Sequence, residues 1–213
     1  DFVELIAIEP LSASADYSRF ILKELSQHIV TPHCMIIQWD GYPINAGCWD
    51  PAFLECDYIG APWPQFSDSH NVGNGGFSIR SKRLLQACMT QGFEDDGGPE
   101  DTVIGRKNRQ FLEQQHGIRF AGSEIAERFS YERGMPGSSE PTAAITRSFG
   151  FHGVFNLVQA IDATTFDQIY RSLDHRSALR IDLYTILRAL LQKPHGARPA
   201  LRIISDWFMR RLR

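Results

Sequence analysis

The sequence predicts an α/β fold carrying a C-terminal helical appendage, and three observations point there. Short apolar, strand-like runs alternate with amphipathic helical runs as far as about Val154. Clusters of Gly, Pro, Asn and Ser punctuate them. Beyond Val154 the apolar residues recur only at helical spacing. With 213 residues, 43% of them hydrophobic, the chain can bury one sizeable core. Residues 1–154 are therefore expected to form the α/β domain and residues 155–213 the appendage.

Taken in order, Phe2 to Ile8 reads as an apolar strand, and its start directly after Asp1 points to a segment upstream. Ser14 to Ile29 has the pattern of an amphipathic helix with Asp16 near its start, and Cys34 to Gln38 that of a short, buried strand. Tyr58 and Ile59 end a strand in the proline-rich turn Gly60-Ala61-Pro62-Trp63-Pro64. Gly76 to Arg80 reads as a strand, Ser81 to Gln91 as a helix, and Thr102 to Gln115 as an amphipathic helix that Glu100 and Asp101 open. Ile118 to Ala121 reads as a strand, Ile125 to Tyr131 fits either state, and 134–142 reads as a loop. Phe149 to His152 closes the core. Helices are expected over Thr164 to Leu173, Ile181 to Gln192 and Ala200 to Leu212.

A net charge of −3 gives no basic field of the kind that binds nucleic acid. Cys34, Cys48, Cys56 and Cys88 contain no Cys-x-x-Cys pair, so they read as reduced, buried thiols rather than zinc ligands or a disulfide framework. No run of about eighteen apolar residues suggests a membrane span, and a cytoplasmic protein is expected. The last segment sets Ile203, Ile204, Trp207, Phe208 and Leu212 on one side, with Arg198, Arg202, Arg210, Arg211 and Arg213 against the single Asp206. Such a segment either docks on the core with a solvated basic face or lets residues 198–213 touch an anionic membrane surface.

Chemistry concentrates in a few places. Asn71 to Ser81 holds Gly73, Gly75 and Gly76, which accept positive φ or a close ligand, while Phe77 and Ile79 tether that loop to the core. Glu100 and Asp101 fit either a general base at a helix start or plain stabilisation of that start. Asp40, at the end of a strand, is either a ligand for Mg²⁺ or Mn²⁺ or the first residue of an Asp-Gly turn. Trp63 either offers a face to a sugar ring or packs in the core. His152 alone would read as a structural histidine.

Together, Gln38-Trp39-Asp40-Gly41, Asp57 to Trp63, Gly73 to Ser81, Glu100-Asp101 and Phe149 to Gly153 resemble a glycosyltransferase-like family of GT-A type, known mostly as a domain of unknown function. The resemblance spans roughly residues 2 to 154. It implies a mixed sheet flanked by helices, a nucleotide-sugar donor (a UDP-sugar foremost), a saccharide acceptor and a divalent cation, Mn²⁺ or Mg²⁺. It makes Asp101 the catalytic base and Glu100 the residue that orients the acceptor. Asp40 and His152 become metal ligands, and Trp39, Asp40, Trp63, Asn74, Gly75, Gly76 and Arg80 line the donor and substrate pocket. The sequence departs from the pattern in carrying one carboxylate, Asp40, where the fold usually has Asp-x-Asp, and in lacking the strand-helix-strand unit that precedes Phe2 in relatives. The expected function is inverting, metal-dependent sugar transfer. The alternatives are a non-catalytic carbohydrate- or nucleotide-binding module and a peripheral membrane protein acting through its basic terminal helix.

Overall fold

Two small, open, three-stranded sheets organise the computed structural model, which describes residues 5–134, 145–173, 176 and 179–211. The described chain runs α1 (Ser14–Lys23), α2 (Leu25–His28), β1 (His33–Ile37), β2 (Tyr42–Pro43), β3 (Tyr58–Ile59), β4 (Phe77–Ser81), α3 (Lys82–Ala87) and α4 (Glu100–Thr102). It continues through α5 (Arg109–His116), α6 (Ser123–Phe129), β5 (Ser130–Tyr131), β6 (Gly150–Phe151), α7 (Val154–Ala160), α8 (Ala163–Ser172), α9 (Leu183–Leu191) and α10 (Ala197–Arg211). The first sheet has the order β1-β4-β3 and is antiparallel. The second, β2-β6-β5, pairs β2 with β6 antiparallel and β5 with β6 parallel.

Every residue of β4 is buried, which makes it the centre of the first sheet. Phe77 and Ile79 pack on one face with Phe53, Ile59, Phe129 and Phe149. The Phe77 and Phe129 rings stack at 5.2 Å between centroids, and Phe53 meets Phe129 edge-on at 5.2 Å. Such pairs add about 0.5–1.5 kcal/mol each beyond the area they bury. Ser78 and Arg80 face the other way, where α1, α3 and α4 and the cluster of Leu22, Tyr58, Leu84, Val103 and Leu112 cover the sheet. Ser81 ends the strand and caps α3, its Oγ accepting from Leu84 N–H at 3.0 Å.

Several expected elements differ. Residues 5–8 form no strand, and Leu5, Ile6 and Ile8 are exposed. The helix expected over 14–29 breaks at Glu24, whose φ of −121° leaves helical geometry. The strand expected over 34–38 is β1, and it is an edge strand with Ile37 half exposed rather than a buried one. The stretch 118–121 contributes one bridge, Phe120 to Tyr58. The segment 125–131 is both things in turn, α6 and then β5. The helix expected over 102–115 is interrupted by a π turn at Val103–Lys107, because Asn108 takes the Val103 carbonyl with both its N–H (3.0 Å) and its side-chain amide (3.0 Å). The same side chain exchanges two 2.8 Å hydrogen bonds with the Glu94 backbone, which fixes the acidic loop ahead of α4. Gly117 ends α5 in the left-handed region, φ 61°. The loop expected at 134–142 lies, beyond Gly134, outside the described residues.

The C-terminal helices share a core with the second sheet. Phe151, Tyr131 and Val154 join Phe166, Ile186, Leu190, Ala200 and Ile203 in one buried cluster. Ile203 is buried and Ile204 and Trp207 half-buried, so this side of α10 faces the protein. All four cysteines are free thiols, Cys88 fully buried and the other three partly. Among the described residues no helix is long and apolar enough to cross a membrane.

Candidate functional site

A cleft of about 280 Å³ opens where the start of α1, the Gly75-Gly76 loop, the acidic loop and the end of β6 meet. Its lining includes Tyr17, Gln38, Asn74, Asp101 and His152. A roomier cleft of about 530 Å³ lies between the starts of α8 and α10, but its carboxylate, Asp167, is already held by Arg202 at 2.9 Å. The first cleft is where the unsatisfied chemistry sits.

Three glycines pass through this region, none with positive φ. The expectation of a conformationally special loop gives way to one of close approach. A Cβ on Gly73 would lie 2.6 Å from the Trp63 ring. On Gly75 it would meet Arg80 and Glu100 at 2.6 Å, and on Gly76 the His152 Nε2 at 2.0 Å. Gly76→Ala is therefore expected to displace His152 and lower stability by about 1–3 kcal/mol, read by thermal denaturation. A variant as stable as the wild type would show that His152 yields freely.

Asp101 stands at the mouth of α4, partly exposed. Its Oδ2 accepts from Gly75 N–H at 3.2 Å and its Oδ1 from Thr102 N–H at 2.6 Å. Burial, and then the charge of Glu100, raise its pKa above the ordinary carboxylate value, while Arg80 and the two N–H groups pull the other way. Burial prevails over the N–H donors at this helix start.

Glu100 lies deeper in the cleft wall than Asp101. It is buried, and its Oε1 accepts from Arg80 at 2.8 Å. Arg80 is wholly buried over the Tyr58 ring, with Ser78 Oγ at 3.3 Å from Nε. Burial opposes its charge, but Tyr58 and Glu100 outweigh that and raise its pKa further. The pair anchors α4 beneath Gly75, and Glu100 still borders the cleft beside Asp101. Arg80 and Trp63, both expected in the pocket, are core residues. Trp63 is 6% exposed, its ring wedged against Gly73, Gly105 and Phe66. Trp39 is exposed beside the strand end, and Asn74 lines the cleft.

Asp40 and His152 come together across the two sheets. Gly41 N–H bonds the Gln38 carbonyl at 3.1 Å in a tight turn, and a Cβ on Gly41 would lie 2.6 Å from the Phe151 carbonyl. This contact puts Asp40 Oδ1 at 3.3 Å from His152 Nε2, with Gln38 Oε1 also 3.3 Å from that nitrogen. On the far side of the ring Glu132 Oε1 lies 3.4 Å from Nδ1. These are ionic contacts without aligned hydrogen bonds, since both Asp40 Oδ1 and His152 Nδ1 are buried and unpartnered in that sense. Burial alone would lower the His152 pKa, yet Asp40 and Glu132 push it up to about 10.

Among the described residues no group of three or more His, Cys, Asp or Glu side chains is arranged to hold a metal ion. The narrower set of Asp40 Oδ1, His152 Nε2 and Gln38 Oε1 still fits a hard cation. Adjacent ligands of an octahedral Mg²⁺ lie about 3 Å apart, close to the 3.3 Å from His152 Nε2 to each of the two oxygens, and a buried carboxylate oxygen stands without an aligned donor. A cation there would displace the imidazolium proton.

Sequence reasoning missed Glu132, Asn156 and Tyr17. Glu132 Oε2 accepts from Asn74 at 2.8 Å, and Asn156 donates to the carbonyls of Glu132 (2.9 Å) and His152 (2.7 Å), so the two fix Asn74 and His152. An acidic residue just past a strand end was the available signal for Glu132. Tyr17 has a buried hydroxyl with no aligned partner, and burial followed by the Glu100 charge raises its pKa.

A family profile described as "Protein of unknown function (DUF5672)" matches residues 3–152, ending on His152 itself. No curated protein and no solved structure gives a significant match. Since the profile covers most of the chain, from the N-terminal segment to the histidine at the cleft, this protein belongs to the DUF5672 family.

Proposed function

We propose that this protein is an inverting glycosyltransferase of GT-A type, moving a sugar from a nucleotide-sugar donor to a hydroxyl of a saccharide acceptor. The observation that carries this reading is one small cleft lined both by a partly buried Asp of raised pKa, Asp101, and by His152, which Asp40 backs at 3.3 Å. Asp101 takes the proton from the acceptor hydroxyl as that oxygen attacks the anomeric carbon and the bond to the nucleoside diphosphate breaks on the opposite face. The sugar configuration inverts. A divalent cation held by Asp40 and His152 would neutralise charge on the diphosphate. Glu132 and Asn156 keep the His152 ring in place, and the buried Arg80–Glu100 pair holds Asp101 against Gly75. A cytoplasmic location, where nucleotide sugars are at hand, belongs to this reading.

A second reading, a non-catalytic module that binds a nucleotide or saccharide, is favoured by one feature. The two carboxylates flanking His152, Asp40 and Glu132, favour its protonated form, which cannot ligate a metal. Calorimetric titration with UDP and then GDP, with and without Mn²⁺, separates the two when repeated on Asp40→Ala. Metal-dependent binding that is lost in Asp40→Ala is the expected result. Binding indifferent to Mn²⁺ and to Asp40 would favour the module, and no binding at all would remove the transferase reading.

A further inference from the structure

The last thirty-odd residues concentrate charge and exposed apolar surface in a way that the cleft does not explain. Residues 180–213 hold eight Arg and Lys against two Asp, a local charge of +6 in a chain whose total is −3. Both acids are already engaged, Asp182 by Arg133 at 2.8 Å and Asp206 by Arg176 at 2.6 Å. Ile181, Tyr184 and Leu191 at α9, and Leu201, Phe208 and Met209 on α10, are each more than half exposed.

These side chains fall on stripes. Ile181, Tyr184, Arg188 and Leu191 follow one another at helical spacing of three and four, on the side of α9 away from the buried Ile186 and Leu190. On α10, Arg198, Leu201, Ser205, Phe208 and Met209 lie away from the buried Ala200 and Ile203. Each helix thus has one apolar side in the protein core and a second, apolar and cationic, turned to solvent. A surface helix needs only the first.

We propose that the outward faces of α9 and α10 dock on an anionic lipid bilayer. Apolar side chains enter the headgroup and acyl boundary while Arg180, Arg188 and Arg198, all exposed, meet the lipid phosphates. A second copy of the chain would set the exposed Arg180, Arg188 and Arg198 against the same cations and be repelled. A nucleic acid would leave the six apolar side chains without a role. The negative balance of the remaining residues turns the rest of the molecule away from such a membrane, so the orientation is defined. Of the side that the sequence pattern suggested, Ile203, Ile204 and Trp207 pack inward, Phe208 belongs to this outward surface, and Leu212 lies outside the described residues.

Sedimentation of the full chain with vesicles tests the idea. Binding is expected to phosphatidylcholine vesicles containing phosphatidylglycerol, not to phosphatidylcholine alone, and to weaken about tenfold or more at high salt or in Arg188→Glu/Arg198→Glu. Leu201→Ser/Phe208→Ser should weaken it similarly while leaving the melting temperature unchanged, since both side chains are exposed. No partition onto anionic vesicles, or equal binding by both variants, would overturn the proposal. So would a lipid-free dimer that Leu201→Ser/Phe208→Ser dissolves.

Discussion

Asp101→Asn is expected to reduce sugar transfer by about 10²- to 10⁴-fold while nucleotide binding and the fold persist. The amide keeps an oxygen for Thr102 N–H but sets an NH₂ group against Gly75 N–H, a local loss of about 1 kcal/mol. Against that stands the removal of a charge from a place that disfavours it. A carboxyl whose folded pKa is raised above its unfolded value binds its proton more tightly when folded. Its contribution to stability is present below the unfolded pKa and is lost as pH rises through the folded one. Ionised Asp101 therefore works against folding at neutral pH, and the melting temperature of Asp101→Asn should stay near that of the wild type. Transfer, which needs the ionised form, should fall as pH drops through a pKa above the ordinary Asp range. Wild-type activity persisting in Asp101→Asn would remove Asp101 as the base.

The largest stability effect is expected at Arg80. Arg80→Met leaves Glu100 buried and unpaired, a loss of about 3–5 kcal/mol, or roughly 6–20 °C in melting temperature for a chain of this size. The double variant Arg80→Met/Glu100→Leu removes both charges and replaces them with apolar side chains, so most of that stability should return. Transfer should not return with it, because α4 then loses the anchor that holds Asp101 against Gly75. A double variant as unstable as Arg80→Met would mean that the pair is not what the single change breaks. A double variant with full transfer would mean that Asp101 is placed without it.

These two sites differ in how far the sequence revealed them. Glu100 and Asp101 stood out by their place at a helix start, but nothing local distinguishes which of two adjacent carboxylates faces solvent. That depends on Arg80, twenty residues earlier, and Arg80 itself was misleading. The resemblance put Arg80 in the donor and substrate pocket, and in β4 it shares with Ser78 a second face opposite Phe77 and Ile79. Only the covering of the second face by Tyr58 and the α-helices makes Arg80 a core residue. The Asp40–His152 contact joins residues 112 positions apart, too far for spacing to report, and it entered through the family resemblance alone. Element types were mostly legible because periodicity is local. The break at Glu24, the π turn at Val103–Lys107, which Asn108 sets through its bonds to the Val103 carbonyl, and the bare segment 5–8 were not, because periodicity carries no signal for them.

Between Trp63 and His152 the backbone slips through three successive gaps, at Gly73, Gly75 and Gly76, that admit a hydrogen atom and nothing larger. The room at those positions has been taken by an indole, an ion pair and an imidazole belonging to other segments. Mutational tolerance along this loop is then governed by volume at the glycines and by polarity only at Asn74, whose amide must answer both Glu132 and the Gly76 N–H. A lineage changing its substrate has little freedom to do so here, and more of it at the cleft's other walls, on α1 and the acidic loop, where side chains border open space.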